Sequence, residues 1–340
     1  MKILVTGANG FVGSHLSRKL SDAGHAVRAL VRETSDLSLL VQIPVERVTG
    51  ALDDPESLRR AAEGADIVIH AAAAVSDWGW PDYFRRVNVE GTRNMLDAAI
   101  CAGAKRFILI SSIAVHTYTG AADMDEDAPQ HPTVIPYVQT KREAETLTLA
   151  RHREGAIEAV IIRPGDVFGP GDRVTLSRLA PMLERGWMPL ISGGKRLAAF
   201  TYVENLADAI LLAAGSDRAS GEAFVITDGT RRTWEDYFIR LTEAVGAPRP
   251  RLSLNGDFLY GLACLLEGLY RTLGIRSRPP VTRYVAGHLR RDVHFSIRKA
   301  AAVLGYRPAV DFDEAVRKTA AWYISTVRPG LREKPGARPT

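Results

Sequence analysis

Lys2-Ile3-Leu4-Val5-Thr6-Gly7-Ala8-Asn9-Gly10-Phe11-Val12-Gly13 sets the architecture of the whole chain. A short apolar run meets a glycine-rich break, and a helical pattern from Phe11 to Ala23 begins at once. Each glycine answers a separate demand: Gly7 a tight turn, Gly10 close approach of backbone to a pyrophosphate, Gly13 close packing of helix on sheet. The free amides and the dipole of the helix N-terminus favour a diphosphate at that place. Glycine spacing alone is a weak signal, but its position between a strand and a helix predicts a dinucleotide site.

Working outward, Ala26–Val31, Val45–Val48, Ile67–Ala71, Phe107–Ser111 and Ala159–Ile162 read as further strands rich in Val and Ile. Pro55–Glu63, Phe84–Ala102 and Tyr137–Arg153 read as helices between them. Continuous apolar strands alternating with helices imply an α/β, Rossmann-type doubly wound parallel sheet, with ligands outside the carboxyl ends of its strands. Residues 1–166 form the expected dinucleotide-binding domain, and 203–228 return to it through a helix at Val203–Ala214 and a strand at Glu222–Ile226. Residues 167–202 and 229–327 form a smaller, mostly helical lobe for the substrate, with helices at Trp234–Val245 and Asp313–Ser325. The Pro-, Gly- and Arg-rich tail 328–340 has no apolar pattern and reads as disordered.

The second strand commonly ends in an acid that binds the ribose 2′-hydroxyl of NAD. Here the stretch is Val27-Arg28-Ala29-Leu30-Val31-Arg32. Arg32, with Arg28 as a candidate helper, suits a 2′-phosphate instead, which favours NADP over NAD unless both are ordinary surface charges.

Tyr137 and Lys141 in Pro136-Tyr137-Val138-Gln139-Thr140-Lys141 are four apart and leave one face of a helix. A phenol near its reference pKa of about 10 is a poor proton shuttle, and reaching about 7 takes roughly 4 kcal/mol of preferential phenolate stabilisation. A neighbouring ammonium and a positive nicotinamide ring can supply that. Ser111-Ser112 ends the fifth strand, where a hydroxyl can orient a carbonyl or an alcohol.

Glycine loop, strand-terminal serine and helical Tyr/Lys in this order resemble the extended short-chain dehydrogenase/reductase family over about residues 1–325. Asp66–Ala73, Asn88-Val89-Glu90-Gly91-Thr92, Arg163–Asp172 and Thr201–Ala209 resemble further segments of it. The resemblance implies Ser112, Tyr137 and Lys141 as catalytic residues, with Tyr137 the acid/base and Lys141 binding ribose and tuning it. It implies a cofactor site of Gly7, Asn9, Gly10, Phe11 and Val12, with Arg32, Leu52 and Asp53. Ala71, Ala72, Ala73, Asn88, Ser111, Tyr137, Lys141, Pro164 and Val167 complete that site. One departure stands out: Gly50-Ala51-Leu52 replaces the family's Gly-Asp-Leu, so backbone or Asp53 must serve the adenine.

Trp78–Phe84, Arg278–Arg283 and Phe295–Pro308 resemble the 3β-hydroxysteroid and sterol-4-carboxylate dehydrogenase branch. The reaction so implied interconverts a secondary alcohol and a ketone on a lipophilic substrate, contacted by Ser112, Val75, Trp78, Trp80, Gly165, Asp166 and Tyr202. The alternatives are a nucleotide-sugar epimerase or dehydratase with tightly held NAD(P), and a non-catalytic NAD(P) sensor. Gly165-Asp166, where sugar enzymes carry an Asn, and an intact Ser112/Tyr137/Lys141 set weigh against them respectively. Trp78 and Trp80 suit covering a flat apolar ligand or filling a core. The apolar Phe258–Leu273, with Glu267 and Arg271 expected on one face, suits a packed helix, a substrate wall or interfacial attachment.

The chain has 340 residues, 46% apolar and 24% charged, which suits a globular protein of about two domains. The +5 charge accompanies no stacking aromatic series and no nucleic-acid motif. No apolar stretch is long enough to span a membrane or serve as a signal core, leaving peripheral contact as the one membrane reading. Cys101 and Cys264 lack metal or redox spacing, and a cytoplasmic location with free thiols is expected. His70, His116 and the acidic run Asp123–Asp127 read as structural or solvated, with no metal. Family resemblance also suggests a homodimer through helices near 84–102 and 137–153.

Overall fold

The computed structural model describes residues 1–329. Seven strands form one parallel sheet: β1 (Lys2–Thr6), β2 (Ala26–Val31), β3 (Glu46–Thr49), β4 (Ile67–His70), β5 (Arg106–Ile110), β6 (Glu158–Pro164) and, late in the chain, Ala223–Ile226. That last strand pairs with β6, and the sheet then runs β5, β4, β1, β2, β3. The order reverses between β1 and β4, so a crevice opens at their carboxyl ends, where this class of sheet binds ligands.

Both faces of the sheet are covered because successive side chains alternate between them. Ile3 and Val5 pack with Leu16 and Leu20 of α1 (Phe11–Asp22), whereas Leu4 and Val68 pack on the other side. There they meet Leu58 of α2 (Pro55–Ala62) and Met95 and Leu96 of the helix that runs from Pro81. That helix has three parts: α3 (Pro81–Phe84), a wide π-helical turn at Arg85–Glu90, and α4 (Gly91–Cys101). The sequence suggests one helix from Phe84. It begins earlier because Pro81 suits a first turn, and the wide turn contains the buried Asn88.

Next comes α5 (Pro136–Arg153), whose first turn carries Tyr137. A buried two-pronged pair, Arg163 at the end of β6 with Glu145 of α5 (3.0 and 2.7 Å), fixes this helix one turn beyond Lys141. The remaining chain adds β7 (Asp166–Phe168), α6 (Arg173–Glu184), β8 (Pro189–Ile191), β9 (Phe200–Tyr202), α7 (Val203–Gly215), β10 (the Ala223–Ile226 strand), α8 (Trp234–Val245), β11 (Leu252–Leu254), α9 (Gly256–Thr272), α10 (Arg283–Leu289), α11 (Arg298–Leu304) and α12 (Phe312–Trp322). Strand pairs β7–β9 and β8–β11 make two small parallel sheets. A second core, rich in aromatic rings such as Phe168, Phe200, Tyr202, Tyr237 and Phe312, lies under this part.

Arg328 departs from the expected disordered tail, for its guanidinium bonds Glu184 and the Val245 carbonyl. Residues 330–340 of that tail lie outside the described residues. No described helix is long and apolar enough to cross a membrane.

Candidate active site

The glycine loop leaves room where a diphosphate needs it. Gly7 has φ +66°, and a Cβ there would lie 2.8 Å from the Ala72 nitrogen. A Cβ on Gly13 would come within 2.1 Å of the Gly7 carbonyl oxygen, which no real side chain tolerates. Thr6 Oγ1 accepts from the Ala72 amide (3.2 Å) and lies 2.8 Å from His70 Nδ1, tying the ends of β1 and β4 together. His70 is fully enclosed, and burial, reinforced by the Lys141 charge, holds its pKa down to about 3; it is a neutral structural group. Ser111 Oγ is buried with no partner, a polar atom that a bound nucleotide could satisfy. The loop, the orphaned serine and the switch-point crevice fit a dinucleotide.

The other expected cofactor residues fall at different distances from this cradle. Phe11 and Val12 open α1 behind the loop, and Asn9 Nδ2 donates to the Asp36 carbonyl at 3.3 Å. Ala71, Ala72 and Ala73 follow β4, and Asn88 holds the next turn by accepting from the Ala74 amide at 2.7 Å. Asn88 Nδ2 also donates to Thr140 Oγ1 at 3.1 Å, which locks this turn to α5. Pro164 ends β6, and Val167 lies on β7. The Leu52 carbonyl is capped by Asn94 (2.8 Å), and Asp53 is solvent-exposed at the entrance to α2. Arg32 stands exposed just past β2, its amide donating to Ser35 Oγ and its carbonyl accepting from the Ser35 amide, both at 3.0 Å.

Arg28 is a correction. Its guanidinium donates to the Ala61 and Glu63 carbonyls (2.7 and 2.9 Å) and pairs with Glu46, so it closes the end of α2 instead of assisting Arg32.

Tyr137 and Lys141 lie on the buried side of α5, at 7% and 4% exposure. Burial pushes the Tyr137 phenol up, and a hydrogen bond with Ser112 pulls the other way. Ser112 also accepts from the Ala114 amide at 3.1 Å, which fixes its hydroxyl at the start of a short 3₁₀ turn. Lys141 Nζ donates to the Ile110 carbonyl at 2.8 Å, and burial lowers its pKa from 10.5 to about 8, with Glu145 opposing. The ammonium is thus held against the last residue of β5.

Aromatic rings wall this phenol. Phe84 and Tyr284 approach Tyr137 edge-on, with centroids 6.5 and 6.1 Å away. Ser76, Asp77, Trp78, Gly79, Val134 and Ile135 line the adjoining crevice with Glu267 and Arg271, leaving a narrow space of about 10 Å³. Straps close it: Arg278 grips both Asp77 carboxylate oxygens, Thr282 donates to Asp77 (2.9 Å), and Arg283 binds Glu267. Glu267 and Arg271 share the crevice-facing side of α9, as expected, but take different partners: Arg271 lies over the Trp78 ring at 4.9 Å.

Among the expected substrate residues, Trp78 lines the crevice, while Val75 and Trp80 stand exposed beside it. Gly165 has the Ala199 carbonyl where a Cβ would sit (2.0 Å). Asp166 accepts from the Ala199 amide (3.2 Å) and has His288 Nε2 2.7 Å from its other oxygen, off the line of a good hydrogen bond. Tyr202 is a correction: it is fully buried in the second core beside Phe168. Tyr284, Phe84, Asp77 and Arg278 are site residues that reading the sequence misses. Tyr284 and Arg278 come from the C-terminal part, where no local pattern announces a partner so distant along the chain. Among the described residues no group of His, Cys, Asp and Glu is placed to hold a metal.

The sequence pattern of the NAD dependent epimerase/dehydratase family matches residues 3–227. The chain belongs to that family. As a member it is an NAD(P)-dependent enzyme of the extended short-chain dehydrogenase/reductase type. A 2-alkyl-3-oxoalkanoate reductase of Stenotrophomonas maltophilia is 33% identical to it, spanning 94% of this chain and 99% of that protein. A 3-beta-hydroxysteroid dehydrogenase of Mycolicibacterium neoaurum is 29% identical, covering 95% and 91% respectively. A solved structure to which the chain is similar is that of MoeE5 in complex with UDP-glucose and NAD. It superposes with a TM-score of 0.73 at 26% identity over 97% of this chain and all of that one.

Proposed function

We propose that the protein interconverts a secondary alcohol and a ketone on a lipophilic, sterol-like or related substrate, with Tyr137 as acid/base. One observation carries the reading: a buried phenol, hydrogen-bonded to Ser112 and backed by a buried lysine, faces an aromatic-walled crevice at the mouth of the sheet. Relatives that reduce 2-alkyl-3-oxoalkanoates or oxidise 3β-hydroxysteroids support a ketone–alcohol pair set in a hydrocarbon frame.

The glycine loop, the Ala71–Ala73 segment, Ser111 and Lys141 would hold the nicotinamide cofactor, which would supply hydride exchange at the carbinol carbon. Ser112 holds the substrate oxygen. Burial keeps Tyr137 protonated, the form that gives a proton to that oxygen during reduction. The Lys141 ammonium, charged below about pH 8, adds positive charge behind the phenol and steadies the anion left after transfer. Trp78, Phe84 and Tyr284 exclude water from the reacting carbon and offer an apolar face. Substrate entry requires the straps at Asp77 and Glu267 to yield, because about 10 Å³ holds one water at most.

Arg32, exposed directly after β2, a strand that itself carries no acid, supports NADP over NAD. A homodimer through the α3–α4 segment and α5, in the cytoplasm, completes the reading; the cysteines are unpaired, as a reducing compartment expects. Spectrophotometric turnover with NADPH and NADH over long-chain 3-oxo acids, 3-ketosteroids and nucleotide sugars tests it. Turnover of the first two classes is expected. Turnover of nucleotide sugars alone overturns the reading.

A further inference from the structure

Helix α9 shows its two sides unequal treatment. One side is pinned: Ala263 and Glu267 are buried, Glu267 receives the Arg283 amide and guanidinium at 2.6 Å, and Arg290 covers the Tyr260 ring at 4.0 Å. The other side is bare. Phe258, Leu262, Leu265, Leu269 and Leu273 recur at helical spacing, and Phe258, Leu265 and Leu273 stand 72%, 69% and 63% exposed. They form a continuous apolar stripe about 22 Å long, at ~1.5 Å per residue. A stripe of this size on a soluble surface marks an interaction site.

Charge and position say what covers it. Between Phe258 and Arg278 the one acid is Glu267, turned inward onto Arg283. Arg251 and Arg276 are exposed beyond either end, and the acid at the helix start, Asp257, is paired with Arg290. A second copy would thus bring the cations of this seam against a single carboxylate, Asp257, which Arg290 already holds. The inner side of the same helix lines the Tyr137 crevice through Glu267 and Arg271, and exposed Val134 borders that crevice too.

We propose that the outer face of α9 docks the protein on an anionic lipid surface, which sets the mouth of the crevice where a lipophilic substrate resides. The apolar stripe enters the acyl boundary while the flanking arginines meet lipid phosphates. Only the link to substrate delivery rests on the proposed function. Docking itself is independent of it.

The test is co-sedimentation of the full chain with phosphatidylcholine vesicles, with and without phosphatidylglycerol. Wild type is expected to bind the anionic vesicles, less so at high salt. Leu265→Asp/Leu269→Asp, and separately Phe258→Ser, should bind on the order of tenfold more weakly. Their melting temperature and turnover of a water-soluble ketone should stay unchanged. Wild type remaining in the supernatant, or variants binding as wild type does, overturns docking. So does sedimentation velocity showing that the variants split a dimer, which would make the face a contact between copies. Failure of every lipophilic substrate with vesicle binding intact would instead overturn the substrate reading alone.

Discussion

Replacing Lys141 with methionine separates what the site does from what the fold tolerates. The side chain keeps nearly the same length and loses its charge. In the folded protein burial lowers the lysine from 10.5 to about 8. Below about pH 8 both folded and unfolded chains carry the proton, and the fold bears the full cost of enclosing the cation. At about 1.36 kcal/mol per pH unit this comes to about 3 kcal/mol. Between about pH 8 and 10.5 the unfolded chain holds a proton that the folded chain has released, so stability rises with pH across that window. Lys141→Met should therefore be more stable than wild type near pH 7, by up to about 3 kcal/mol. Loss of the bond to Ile110 takes roughly 1 kcal/mol back. The advantage should shrink toward pH 10, while turnover falls on the order of 10²-fold. Urea unfolding of both proteins near pH 7 and pH 10 reads the effect. A variant less stable at pH 7, or a gap that widens as pH rises, refutes the reasoning.

Tyr137→Phe should lower kcat on the order of 10²-fold or more without shifting the melting temperature appreciably, since the buried ring keeps its contacts with Phe84 and Tyr284. Gly13→Ala places a methyl 2.1 Å from the Gly7 carbonyl, so the loop must shift; nucleotide affinity by fluorescence titration should drop more than about tenfold. Arg32→Ala should weaken NADPH by roughly tenfold or more and leave NADH nearly unaffected, as expected when one charge-assisted phosphate contact is lost. Equal losses for both cofactors would contradict the role given to Arg32.

The α/β half was legible because its strands are short, largely apolar runs and most of its helices begin at or just after Gly or Pro. Lys2, Ala26 and Ile67 start strands where the pattern starts, and Trp234–Val245 is a helix over the range the sequence suggests. Helix α6 was not legible, since Pro181 lies inside it and its N-terminus depends on Asp172 capping Thr175. Tyr137, Lys141 and Ser112 could be singled out because local spacing and a strand end mark them. The walls could not. Tyr284 reaches Tyr137 from α10, and Arg278 reaches Asp77 across 201 positions of sequence. Tyr202 misled for a related reason: a motif gives a residue's place on the chain, whereas packing against Phe168 decides that its ring faces the core. Arg28 shows the same limit, because its carbonyl partners at the end of α2 are invisible in a strand read alone.

The most direct measurement follows deuterium from 4-deuterated NADPH into a long-chain 2-alkyl-3-oxo acid or a 3-ketosteroid, by mass spectrometry of the product. One deuterium on the new carbinol carbon, with stoichiometric release of oxidised cofactor and near-complete loss of the signal in Tyr137→Phe, is the predicted result. A product without the label, or labelled equally well by Tyr137→Phe, contradicts the account.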